Sequence, residues 1–350
     1  MRRVDPAIAA AIAAAALFGA STPLAKKLIG DVQPLLLAGL LYLGSGMGLT
    51  IARLVRDRGW KAPNLSKREW PWLLGAAGFG GVLAPVLLMI GLANTPATTA
   101  SLLLNLEAVL TTVLAWVVFR ENTDRRVVLG VVLIVAGGLV LAWPTRAVEW
   151  NSRWPALLIV LACLGWAIDN NLTRKVSASD ALFIAGFKGW VAGIVNATLA
   201  LMLGMSWPGP GITLAAMLVG CFGYGVSLVL FVLALRGLGT ARTGAYFSTA
   251  PFIGVMVAIV FFGEPTSATL WIAAGLMASG IWLHLTERHA HEHTHDALEH
   301  EHAHTHDEHH RHEHAFPWDG REPHSHPHAH EPMTHRHPHY PDIHHQHRHR

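Results

Sequence analysis

From residue 6 to residue 286, apolar stretches of some twenty residues follow one another with only short joints of charge, proline or glycine between them. Roughly 20 mostly apolar residues suffice for a helix to cross a bilayer, and hydrocarbon offers no partner to an open backbone polar group. Such a chain is therefore constrained to a bundle of membrane helices. Ten spans can be laid down, at 6–25, 33–55, 71–92, 96–119, 126–143, 154–173, 180–203, 211–235, 240–262 and 266–286. The joints include Arg56-Asp57-Arg58-Gly59, Asn94-Thr95-Pro96 and Trp207-Pro208-Gly209-Pro210-Gly211. Trp70, Trp72, Trp143, Trp150 and Trp154 fall near span ends, where amphipathic rings anchor well. With 52% hydrophobic and only 14% charged residues, a soluble domain of ordinary make-up is excluded. The run from Ala7 to Ala20 follows two arginines as a signal peptide would, but more spans succeed it directly, so it reads as a retained first span.

Basic residues orient the bundle. With a cytoplasmic N-terminus, the inner segments hold 15 Lys/Arg, among them Arg53, Arg56, Arg58, Arg174, Lys175 and Arg236. The outer segments hold only Lys26, Lys27, Arg146 and Arg153. That bias predicts cytoplasmic termini, because ten spans return the chain to its starting side. The placement expected is multi-pass in a bacterial-type inner membrane. No nucleic-acid partner follows from the basic excess, which loops of this kind explain. The two cysteines, Cys163 and Cys221, lie inside apolar runs and read as packing residues.

Sliding the chain against itself by 143 positions aligns residues 92–141 with 235–284 without a gap. Leu92 meets Leu235, Phe119 meets Phe262, Glu121 meets Glu264 and Gly137 meets Gly280. The expected units are a first repeat over 1–147, a second over 148–286, and a tail over 287–350. Five spans per half is an odd number, so the second half enters the bilayer in the opposite sense. Inverted repeats of this kind frame a midplane site in many secondary transporters.

Ten spans in two five-helix repeats, each with a helix ending on a glutamate, resemble the EamA branch of the drug/metabolite transporter superfamily. The stretch Ala100-Ser101-Leu102-Leu103-Leu104-Asn105-Leu106-Glu107 through Phe119-Arg120-Glu121 carries the strongest match. The resemblance implies an all-α membrane fold and gradient-driven export of small solutes, and it covers roughly residues 6–286. The tail is similar to the histidine-rich extensions of nickel and cobalt resistance exporters.

Two acidic residues stand away from loops and helix ends: Glu107, near the middle of the fourth span, and Asp169. Charge inside a bilayer costs several kcal/mol, so such side chains face an interior and take partners. Glu107 shares a helix face with Thr111 at i+4 spacing, beside a stripe of Ser101, Asn105 and Thr112. It reads as a proton carrier or cation ligand, with a neutral hydrogen-bonded acid as the plainer alternative. Asp169, Asn170 and Asn171 close the sixth span and offer oxygen ligands or a helix cap. Lys188 lies at similar depth on the next span, so an Asp169–Lys188 pair is expected, as structure or as a gate. The ninth span carries Arg242 at its cytoplasmic mouth, then Tyr246, Ser248 and Thr249 before a kink expected at Pro251.

All 24 histidines lie between His284 and His349. This tail carries 6 Lys/Arg against 12 Asp/Glu, whereas residues 1–283 carry 20 against 11. Many histidines alternate with other residues: His289, His291, His293 and His295; His300, His302, His304 and His306; His324, His326, His328 and His330; His335, His337 and His339. His309, His310, His312 and His314 add a denser patch. Alternation puts successive imidazoles on one side of an extended chain, where two or three can close on one ion. Six prolines between Pro317 and Pro341 and a near absence of apolar residues predict a disordered segment. Nickel, cobalt, zinc and copper all suit imidazole, and no permanently bound cofactor is expected.

The sequence thus reads as a transporter rather than an enzyme. The leading expectation is efflux of divalent metal, nickel or cobalt, by proton antiport, with the tail capturing ions. An exporter of amino acids or related metabolites stays open, as does a membrane-tethered metal buffer or sensor. A homodimer is also left open.

Overall fold

A computed structural model describes residues 6–63, 65–119, 125–142, 154–176, 179–286, 290–295, 298–304, 324–330 and 333–338. The described residues up to 286 form an all-helical bundle. Its helices are α1 (Pro6–Leu28), α2 (Pro34–Asp57), α3 (Trp70–Ala76), α4 (Ala84–Ala93), α5 (Ala97–Leu103), α6 (Leu106–Phe119) and α7 (Arg125–Ala142). There follow α8 (Trp154–Arg174), α9 (Ala181–Met202), α10 (Pro210–Gly220), α11 (Ser227–Phe247), α12 (Ala250–Phe262) and α13 (Ala268–Leu285). Among the described residues, seven helical stretches are long and apolar enough to cross a membrane, and three shorter apolar helices accompany them at Val128–Leu141, Ala250–Phe262 and Ala268–Leu283.

Small residues let these helices touch backbone to backbone, which is how membrane helices associate without a hydrophobic drive between them. A Cβ on Gly189 of α9 would lie 2.4 Å from the Gly46 nitrogen of α2, and one on Gly39 of α2 would lie 2.6 Å from the Ala197 nitrogen of α9. Contacts at 46/189 and 39/197 run in opposite sequence directions, so the two helices cross antiparallel. The α7–α13 pair repeats the device. A Cβ on Gly137 would lie 3.0 Å from the Ala273 oxygen, and one on Gly280 would lie 2.6 Å from the Gly130 oxygen. Gly137 and Gly280 are partners in the 143-residue register, and so are Gly130 and Ala273. Each half therefore presents the same surface to the other, in opposite directions.

Two π-helical turns occupy matched places. Ala77–Leu83 joins α3 to α4, and Cys221–Val226 joins α10 to α11. The register that aligns the repeats places Phe79 on Phe222 and Gly80 on Gly223. Two interruptions match as well: α5 gives way to α6 at Leu104–Asn105, and α11 to α12 at Ser248–Thr249.

One expectation changes here. Pro251 does not kink the middle of a helix but sits in the first turn of α12, where its missing N–H has no intrahelical partner to lose. The carbonyls upstream are taken by side chains, Ser248 Oγ donating to Gly244 O at 2.8 Å and Thr249 Oγ1 to Tyr246 O at 2.7 Å. The helical stretch Ser227–Phe247 also conceals a reversal. The Phe231 and Phe247 rings lie 4.9 Å apart, whereas sixteen residues of straight helix would separate them by about 24 Å. The chain folds back between them, near the joint expected after residue 235.

Beyond residue 286, four described stretches pair as antiparallel strands: β1 (Ala290–His295) with β4 (Met333–Pro338), and β2 (Leu298–His304) with β3 (His324–His330). Period-two alternation is compatible with extended backbone, and pairing supplies hydrogen bonds that single polar strands lack. The register sets histidine opposite histidine at 291/337, 293/335, 300/328, 302/326 and 304/324.

Candidate functional site

The carboxylates singled out in the sequence meet on one side of α8. Asp169 is 7% exposed and Lys188, on α9, is 2% exposed. Lys188 Nζ donates to Asp169 Oδ2 at 2.6 Å and to Oδ1 at 2.7 Å. Thr173, one turn along α8, donates its hydroxyl to Asp169 Oδ1 at 2.8 Å. The cation and the hydroxyl together satisfy the carboxylate, as buried charge requires.

Gly80 makes room for this cluster. A Cβ there would lie 1.8 Å from Asp169 Oδ2, so only glycine fits. Within its π-turn, the Gly80 carbonyl is free of the ordinary helical pattern and accepts from Tyr42 Oη and Trp166 Nε1, each at 2.9 Å. Asn196, wholly buried on α9, reaches the Val82 carbonyl at 3.2 Å. The first π-turn thus gathers α2, α8 and α9 around Asp169. Sequence reasoning passed over Gly80, Tyr42 and Trp166. The one signal was the glycine-rich run Gly78-Phe79-Gly80-Gly81, matched by Gly220-Cys221-Phe222-Gly223-Tyr224-Gly225 in the second repeat.

Glu107 joins from α6. It is half-buried in the first turn after the α5–α6 interruption, and Asn170 Nδ2 donates to its Oε1 at 2.8 Å. Asn170 follows Asp169 directly, so α8 carries both carboxylate sites on adjacent residues. Beside them, Ser101 Oγ and Asn105 Oδ1 are buried with no hydrogen-bond partner among the described residues, each residue being only 1% exposed. Asn105 Nδ2 faces the Met277 sulfur at 3.5 Å.

Other expected members stand elsewhere. Asn171 donates to its own helix at Ala167 O, 2.9 Å, and pins α8 rather than facing the site. Tyr246 packs with Ala7, Ile8, Ala11, Ala234 and Leu238 on the α1–α11 side. Arg242 is helical, but its side chain lies outside the described residues. The histidines at 291, 293, 295, 300, 302, 304, 324, 326, 328, 330, 335 and 337 lie on the four strands, while His289, His306, His309, His310, His312, His314 and His339 lie outside the described residues. Among the described residues, no group of three or more His, Cys, Asp or Glu side chains could hold a metal ion.

A family model for EamA-like transporters matches residues 5–143 and 153–286, one copy on each half of the bundle. The chain belongs to the EamA-like transporter family. An uncharacterised transporter of Methanothermobacter thermautotrophicus is 28% identical over 290 residues, covering 78% of this chain and 84% of that protein. The uncharacterised inner membrane transporter YedA of Escherichia coli K12 is 21% identical over 80% of this chain and 90% of its own length. A probable 4-amino-4-deoxy-L-arabinose-phosphoundecaprenol flippase subunit, ArnE of Pseudomonas paraeruginosa, is 44% identical over 113 residues, 31% of this chain and 93% of that protein. One solved crystal structure superposes with a TM-score of 0.62 at 19% identity, covering 79% of this chain and 95% of its own, and so shares the fold. The protein is a multi-pass membrane transporter of this family, with an inner-membrane relative.

Proposed function

We propose that this EamA-like protein exports divalent metal cations, nickel or cobalt, from the cytoplasm in exchange for protons. In this reading ten spans form two inverted five-helix repeats with cytoplasmic termini. The antiparallel crossing of the repeat partners α7 and α13 supports that arrangement. The observation that carries the mechanism is the pair of intramembrane carboxylates, Asp169 and Glu107, held one residue apart along α8 through Lys188 and Asn170. A proton reaching Asp169 releases Lys188, and the freed ammonium moves the local charge by a full unit inside a low-dielectric interior. Glu107, the less deeply buried of the two, is the partner that exchanges protons or meets the cation.

The tail supports the choice of cargo. Its 23 histidines gather metal that the bundle then moves, and capture weakens as pH falls through about 6.5, where imidazole gains a proton. Oxygen ligands at the helix interruption, Ser101 and Asn105, suit a cation on its way. A second reading keeps the transporter and changes the cargo to an amino acid or related polar metabolite. The likeness to a flippase subunit favours it, because Lys188 and Glu107 together suit a zwitterion.

The test is nickel, cobalt and zinc flux in proteoliposomes under an imposed proton gradient, for the full chain, Glu107→Gln, and a chain ending at residue 288. Gradient-driven nickel or cobalt movement that Glu107→Gln abolishes and truncation only weakens establishes the metal exporter. Metal bound by the tail but never moved sinks it and favours the metabolite reading.

A further inference from the structure

The two halves of the bundle are tied to each other by a carboxylate at each membrane face. The helices alternate in direction, so the ends of α1, α4 and α12 share one face with the start of α5. The end of α2 and the start of α9 share the opposite face, which is also where α13 delivers the tail.

At the face away from the tail, Glu264, just past α12, accepts from the Ala97 and Thr98 backbone N–H groups at 2.9 Å each. Those are the unsatisfied amides of the α5 N-terminus, where negative charge is favoured. Lys26 of α1 completes the arrangement by donating to the last carbonyls of α4, Leu92 O at 2.6 Å and Ala93 O at 3.0 Å. The turn Asn94-Thr95-Pro96 is thus held with an anion on the helix beginning and a cation on the helix ending. Glu264 belongs to the second repeat and α5 to the first.

At the tail face, Asp180 plays the corresponding part. It caps α9 by accepting from Leu182 N at 3.1 Å, and it accepts from Arg53 Nε at 2.8 Å and Arg56 Nη2 at 2.7 Å. Arg53 and Arg56 sit on the last turns of α2, in the first repeat. Arg236 of α11 draws the same loop in by donating to the Ser179 carbonyl. The lock again joins opposite repeats.

We infer that Glu264 and Asp180 are the two gate residues of this transporter, each closing one face by bridging the repeats. Both bridges are formed at once in this structure, one at each face, with the Asp169–Glu107 cluster between them. Opening one face requires breaking its own bridge while the other holds. Glu264 and Asp180 touch no cargo; they are positioning residues, and the inference holds whatever the cargo is. Glu121, which aligns with Glu264 across the repeats, lies outside the described residues.

A cysteine at Thr111, one turn beyond Glu107, reports access in the full chain with Cys163 and Cys221 replaced by alanine. An impermeant maleimide is applied to one face at a time in sealed, oriented vesicles. Loss of two charge-assisted hydrogen bonds in Glu264→Gln should raise labelling from the face away from the tail about tenfold and leave the tail face unchanged. Asp180→Asn should do the reverse, and Glu264→Asp should retain the sealed state. Unchanged labelling in both glutamine and asparagine variants overturns the inference. Equal labelling from both faces in either variant overturns it too, because that is the signature of a loosened bundle. Thermal melting of each variant identifies one that has merely failed to fold; Arg53→Lys/Arg56→Lys then tests the same tail-face bridge with its charges kept.

Discussion

Two ion pairs join α8, α9 and α2, and they differ in nearly everything but charge. Asp169–Lys188 is buried at 7% and 2% exposure in the middle of the bundle, with Thr173 as its one further polar partner among the described residues. Asp180–Arg56 sits at the rim, where the arginine side chain is 48% exposed and water competes for both partners. Burial turns the first pair into a commitment: neither charge can remain if the other leaves. The second pair is adjustable, because solvent replaces whatever is removed. In the proposed mechanism the buried pair is where a proton would act, and the rim pair is the one that would part when its face opens.

That contrast can be broken experimentally. Lys188→Ala leaves a buried carboxylate without its cation and should destabilise the bundle by about 3–5 kcal/mol, seen as a lowered melting temperature in detergent. Replacing both partners, Asp169→Leu with Lys188→Met, should be milder for stability than either single change while still abolishing transport. Gly80→Ala should come next. Its methyl group displaces the Asp169 carboxylate for a penalty of about 1–3 kcal/mol, and the mutant should lose transport more than it loses stability. Asp180→Asn should cost about 1 kcal/mol or less, and the loss should shrink further in molar salt.

The same rim pair has a pH signature. Burial pushes the Asp180 carboxyl up, but hydrogen bonds from Arg56 and Arg53 outweigh it and hold the group down at about 2. A group lowered on folding contributes stability above its unfolded value, near 4, and that contribution is lost as pH falls toward 2. Melting temperatures of the parent chain and Asp180→Asn should therefore differ at neutral pH and converge between pH 4 and 2. A difference that persists at pH 2 would mean the arginines hold this loop by something other than charge. Arg56→Ala, the smallest change, should shift the melting temperature by the equivalent of about 0.5 kcal/mol.

Much of this was legible in the residues. Apolar length gave the helices, and a gapless 143-residue register gave the repeat that the glycine contacts at 137 and 280 then display. Depth alone put Lys188 level with Asp169. What stayed hidden has physical reasons. Asp180 is 127 residues from Arg53, and a loop aspartate carries no mark of its partner. Tyr42 and Trp166 are tied to a carbonyl, and every residue has one. The role of Pro251 depended on where α11 ended, which two hydroxyls upstream decided rather than the proline itself.

The π-turn at Ala77–Leu83 has one more consequence. Such a turn holds one residue more than an α-helix would place in the same length, so everything after it is rotated in phase by about 100°. Removing a single residue, Gly78 for instance, would restore an unbroken α-helix and leave composition and hydropathy almost untouched. It would also turn the α4 face that packs on α8 toward another neighbour and close the opening that Gly80 keeps for Asp169. In this stretch, the count of residues matters as much as their identity.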